Sequence, residues 1–156
     1  GPKLFPRMTG LPLKERRNRH VVLNRLVGLD GAAALPVATL LEAICRAIGV
    51  KGGLLSNSDG IPLANTATLT EKADRIGALV PQMFRRAERY LKPVTNDSIH
   101  CIALPMTDPP LLLFSGDEIY LAFATAAGQP VETFLPKALE ITRELDWLMG
   151  CRAVVR

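Results

Sequence analysis

Apolar residues recur along this chain with two periods, 3.6 and 2, and the alternation between them lays out the elements. Val37, Leu40, Leu41, Ile44, Cys45 and Ile48 fall at i, i+3, i+4, i+7 spacing, one face of an amphipathic helix. Pro36 suits its first position and Gly49 its close. Upstream, residues 14–27 predict a short helix with a basic first half and an apolar second half, and residues 28–34 read as a linker. Downstream, Gly52-Gly53-Leu54-Leu55 and Ile61-Pro62-Leu63-Ala64 flank Ser56-Asn57-Ser58-Asp59-Gly60. Asp-Gly between apolar runs signals a β-hairpin, because Gly accepts positive φ without steric cost. Pro62 cannot donate to a ladder, so its strand should lie at an edge or turn that position to solvent.

A long helical pattern opens at Thr70-Glu71 and ends before Pro93, with Pro81 expected to kink or divide it. Its apolar positions form two rows, Ala73, Ile76, Val80, Met83, Ala87 and Tyr90, then Gly77, Phe84 and Leu91. A stripe this wide can cover a sheet and still offer a seam to another helix. Three strands follow at 98–104, 111–114 and 119–125, separated by Pro109-Pro110 and Ser115-Gly116-Asp117. A last helix spans 131–149, with Val131, Phe134, Leu135, Ala138, Thr142, Leu145 and Met149 on one face. The order α-β-β-α-β-β-β-α predicts an α+β fold, a five-stranded antiparallel sheet packed with helices.

Composition agrees with a folded body. The 156 residues are 48% hydrophobic, enough to bury a core. No apolar run approaches the ~20 residues that span a bilayer, and no signal peptide opens the sequence. The first residue is Gly1, which leaves Met8 as a candidate native start. The net charge is +4, but it is concentrated: residues 1–30 carry seven Lys/Arg against Glu15 and Asp30, and the remainder is close to neutral. The basicity belongs to an arm, residues 1–34, ahead of a domain at 35–150 and a tail at 151–156. Arg16, Arg17 and Arg19 of that arm are candidate contacts for a partner or an anionic membrane. It carries no aromatic stacking residues within 14–20, which disfavours nucleic acid.

Catalytic chemistry is not signalled. Gly49-Val50-Lys51-Gly52-Gly53 lacks phosphate-loop spacing and follows a helix instead of a strand. His100 and Cys101 are neighbours on a strand and so point to opposite faces, which prevents a nucleophile–base pair. Cys45, Cys101 and Cys151 are odd in number and widely spaced, which fits neither a disulfide framework nor a zinc site and points to a reducing, cytoplasmic compartment. Asp117-Glu118 reads as a solvated turn. No cofactor, metal site or catalytic residue is expected. Trp147 falls near Glu140, Arg143 and Glu144 on the last helix, opposite its apolar stripe. A large aromatic on a charged face marks a partner contact, a ring covered by the arm, or simple exposure.

The stretch from Val50 through Gly52, Leu54, Leu55, Asp59, Gly60, Pro62 and Ala64 to Asn65 resembles the hairpin of the roadblock/dynein light-chain family. Ile119-Tyr120-Leu121-Ala122-Phe123-Ala124 and the helix after it are similar to that family's last strand and helix. The resemblance covers residues 35–149; Pro81, Pro109-Pro110, Pro136 and the N-terminal arm depart from it. It implies dimerisation through the middle helix and third strand, giving a continuous two-subunit sheet. Ile76, Val80, Met83, Ala87, Tyr90, His100 and Ile102 are the expected interface. It further implies a non-enzymatic homodimeric scaffold or regulator of a small Ras-like GTPase. A cytoskeletal adaptor of dynein light-chain type and a small-molecule sensor are the alternatives.

Overall fold

The computed structural model describes residues 21–29 and 35–155, the last five by backbone alone. Residues 21–26 are helical (α1), followed by α2 (Val37–Ile48), β1 (Gly52–Asn57), β2 (Pro62–Asn65), a 3-10 turn (Ala67–Lys72) and α3 (Ala73–Leu91). Then come β3 (Cys101–Leu104), β4 (Leu111–Ser115), β5 (Ile119–Ala124), a short 3-10 turn (Val131–Thr133) and α4 (Leu135–Val155). The strands form one antiparallel sheet in the order β2-β1-β5-β4-β3. The α+β class and the element order expected from the periodicities are those observed.

Alternation along the strands divides the interior in two. Leu55, Leu112, Phe114, Leu121 and Phe123 point to one face, where they pack with Leu40, Leu41 and Ile44 of α2 and Ala138, Ile141 and Leu145 of α4. Leu54, Leu113, Ala122 and Ala124 point to the other face, which α3 covers with Ala73, Ile76, Val80 and Phe84. Phe114 and Phe123 meet edge to face at 5.7 Å in the first core, an arrangement favoured by the ring quadrupoles.

Several boundaries differ from the expectation, each for a tertiary reason. The core does not begin at Leu35: Leu23 is fully buried and Val27 nearly so, both in the core cluster that α2, α4 and the sheet form, so part of the expected arm belongs to the domain. Pro36 sits one position earlier than expected, at the N-cap of α2. Gly49 closes α2 in the left-handed region (φ 88°), its N–H bonded to the Cys45 carbonyl. Pro81 neither divides nor ends α3, which runs unbroken from Ala73 to Leu91. The final helix starts at Leu135 and continues past Gly150, through the segment expected as a tail, to Val155. Pro136 is accommodated because it falls in the first turn, where an N–H would lack an intrahelical acceptor anyway.

Candidate interaction surface

Polar groups inside the fold hold loops to elements. The Asn57 side-chain oxygen accepts from the N–H groups of Asp59 (2.9 Å) and Ile61 (3.0 Å), shaping the hairpin turn. The Asp146 carboxylate on α4 accepts from the N–H groups of Asp117 (2.9 Å) and Glu118 (2.7 Å), so the β4–β5 turn is tied to the last helix. Gln129 donates to the Gly49 carbonyl (2.9 Å) and accepts from Ala126 N–H (3.0 Å), joining the β5–α4 loop to the end of α2. These are structural bonds; none presents a nucleophile with a base.

Burial disfavours the thiolate at both cysteines whose side chains are described. Cys45 is buried beneath Gly53, where an added Cβ would lie 2.8 Å from its Sγ, and burial pushes its pKa up to about 12. Burial likewise raises Cys101 to about 11. Both are free. Among the described residues no group of three His, Cys, Asp or Glu side chains could hold a metal ion. An open cavity of about 190 Å3 beside Ala103, Pro110, Leu112, Thr125 and Val131 lies below the ~300 Å3 at which ligand pockets begin.

The surface of interest is the outer side of α3 together with the β3 edge. The expected seam residues separate here. Ile76 (7% exposed) and Val80 (2%) are taken by the chain's own sheet, because α3 covers that face and gives it its central stripe. Met83 and Ala87 are half-buried at the border, and Tyr90 stands open at 75%. Ile102 is half-buried on the α3 side of β3, and His100 is exposed just before the strand. Leu79, Leu91, Val94 (81% exposed) and Met106 (94%) are further exposed apolar side chains that the seam assignment from sequence left out. Leu79 was legible, since it interrupts the polar face between Arg75 and Gln82; Val94 and Met106, in loops, carry no periodicity.

Trp147 does not stand free on the charged face of α4. It is half-buried and packs against the larger core, with a further interaction of its own. Arg16, Arg17 and Arg19 lie outside the described residues. No described helix is long and apolar enough to cross a membrane.

Solved structures share this arrangement. A Roadblock/LC7 domain from Streptomyces avermitilis superposes with a TM-score of 0.58 at 12% identity, over 78% of this chain and 98% of that one. This chain has the Roadblock/LC7 fold. The gliding protein MglB from Thermus thermophilus matches at TM-score 0.59 and 15% identity, over 86% of this chain and 90% of that one. Myxococcus xanthus MglB matches at 0.54 and 9%, over 86% and 94%. No sequence-family model matches the chain, and no curated protein matches it by sequence. At these identities the likeness is one of fold: the Roadblock/LC7 backbone is retained on a largely different set of side chains.

Proposed function

We propose that this chain is a non-enzymatic homodimeric scaffold or regulator, cytoplasmic, that binds a small Ras-like GTPase. The observation that carries this is the β3 edge, which no strand pairs among the described residues, beside an α3 whose outer face keeps Leu79, Tyr90 and Leu91 exposed. An open edge strand and a flanking apolar helix face together form the kind of surface that a second copy covers. The fold supports the scaffold role, and the GTPase as partner follows from the family resemblance of the hairpin and last strand. Free thiols at Cys45 and Cys101 fit a reducing compartment.

Two experiments test this function. Sedimentation at micromolar concentration is expected to show a dimer; a monomer would remove the first half of the proposal. A pull-down against the organism's small GTPases, each loaded with GDP or a GTP analogue, is expected to retain one of them in a nucleotide-dependent manner. Retention of cytoskeletal motor components with no GTPase would favour the adaptor role instead.

A further inference from the structure

We infer that the outward crest of α3, formed by Arg75, Arg86 and Arg89 with Arg85 and Lys92 on one flank, is a docking surface for an anionic lipid membrane. The crest is complete in a single chain, so this goes beyond the dimer and the GTPase proposed above and depends on neither.

The near-neutral charge of the folded body hides a local excess. Residues 75–92 carry five Lys/Arg against Glu88 alone, while the rest of 31–156 carries seven Lys/Arg against twelve Asp/Glu. Packing decides where those charges stand. Ala73, Val80 and Phe84 are buried on the sheet. At about 100° per residue, Arg75, Gln82, Arg86 and Arg89 fall directly opposite them, and all four are exposed. Leu79 and Tyr90 lie to one side of this crest, with Met83, where the proposed second copy would sit. Arg85 and Lys92 lie to the other, the side of Pro81, whose ring packs beside Gly60 of the hairpin. From Arg75 to Arg89 the crest runs about 21 Å.

This placement works against the helix. Arg85–Arg89, Arg86–Arg89 and Arg89–Lys92 are like-charge pairs at i, i+4 or i, i+3 spacing, and such pairs destabilise a helix. Neither Arg86 nor Arg89 has a carboxylate three or four residues away to relieve the repulsion. The helix dipole favours cations only within the last turn, which Arg85 and Arg86 precede. An anionic surface laid along the crest removes the repulsion. The shape of the crest selects the kind of anion. A protein partner gripped by arginine needs a concave, fixed frame around each guanidinium, whereas α3 offers a convex ridge. No α3 side chain lines the open cavity beside Ala103 and Val131. A lipid surface asks only for cations spread along such a face, free to follow the headgroups. Val94, 81% exposed just past Lys92, adds an apolar side chain at the cationic end.

Co-sedimentation of the full chain with lipid vesicles tests this. Phosphatidylglycerol vesicles are expected to retain the chain, phosphatidylcholine vesicles to leave it in solution, and added salt to release it. Each cation at an anionic membrane strengthens binding about fivefold, so Arg86→Gln with Arg89→Gln should weaken it at least tenfold. Arg86→Lys with Arg89→Lys should bind as the unaltered chain does, because a lipid surface reads charge and not the guanidinium fork. Arg16→Gln, Arg17→Gln and Arg19→Gln together should leave most of the binding in place. Both substituted crest positions are exposed, and thermal melts check that each variant stays folded. No retention by phosphatidylglycerol vesicles, or retention that survives the glutamine pair, would overturn the crest as the site. If that surviving retention is lost with the three substitutions before residue 20, the arm is the site instead. Loss of binding in the lysine pair, or capture by soluble polyglutamate in place of vesicles, would overturn the lipid in favour of an acidic protein surface.

Discussion

Gly60 and Gly77 pack backbone against backbone, joining the β1–β2 turn to the middle of α3. A Cβ on Gly60 would lie 2.5 Å from the Gly77 carbonyl oxygen, and a Cβ on Gly77 would lie 2.7 Å from the Gly60 oxygen. Gly60 also has φ +81°, which an L side chain rarely adopts. Pro81 has no N–H to bond that same Gly77 carbonyl, and its ring packs beside Gly60, so the turn covers the place where the helix lacks a bond. Buried Pro81 is thus a contact for the hairpin within a continuous helix.

Gly77→Ala should therefore destabilise the fold even though alanine raises helix propensity by about 1 kcal/mol. The forced separation of turn and helix outweighs that gain, for a net cost of about 1–3 kcal/mol. Urea denaturation followed by circular dichroism measures it; an unchanged or raised midpoint would show that the contact is slack.

Leu23→Ala should cost about 2–5 kcal/mol, the range for removing a fully buried leucine. A chain beginning at residue 35 loses Leu23 and Val27 together and should melt at a lower temperature and with less cooperativity. Calorimetry on both variants checks this, and an unaltered melt would mean that α1 is dispensable.

Asp146→Ala removes the acceptor for two N–H groups of the β4–β5 turn and should cost about 1–3 kcal/mol. Amide exchange at Asp117 and Glu118 is the local readout. Both should exchange faster, while amides of β1 and β2 keep their protection.

Met83→Glu places a carboxylate at the half-buried border of α3. It should weaken self-association at least tenfold, about 1.4 kcal/mol, while leaving a folded monomer. Sedimentation together with circular dichroism distinguishes this outcome from unfolding.

Cys45 ionises only near pH 12 in the folded state, against 9.0 for an ordinary thiol, because burial disfavours the thiolate. The sign follows: below pH 9 the thiol is protonated whether folded or not and stability is unaffected. Above pH 9 the unfolded chain loses the proton first, and stability falls as pH rises toward 12. In a Cys151→Ser chain at pH 8, reaction with a thiol reagent should be slow until denaturant is added.

Element order was legible in the sequence because helices and strands announce themselves by local spacing. The i, i+3, i+4 series from Val37 to Ile48 and the Asn57–Gly60 turn between short apolar runs need no knowledge of distant residues, and both appear where that spacing puts them. The hairpin and last strand likewise carried the resemblance to the fold that the superpositions show. What spacing could not decide was which neighbour each apolar row would meet. Ile76, Val80, Met83, Ala87 and Tyr90 share one heptad-like row, yet the first two are buried on the sheet and the last is open, because Tyr90 lies in the last turn of α3, beyond the residues that pack on the sheet. Leu23 and Val27 read as part of an arm until the core that α2, α4 and the sheet build takes them in. Asp146 carries no local signal of its role, since its partners at Asp117 and Glu118 lie nearly thirty residues away in sequence. A side chain's spacing along its own element is local information, but the surface it buries against is made by strands and helices brought together from elsewhere in the chain, and only folding brings them there.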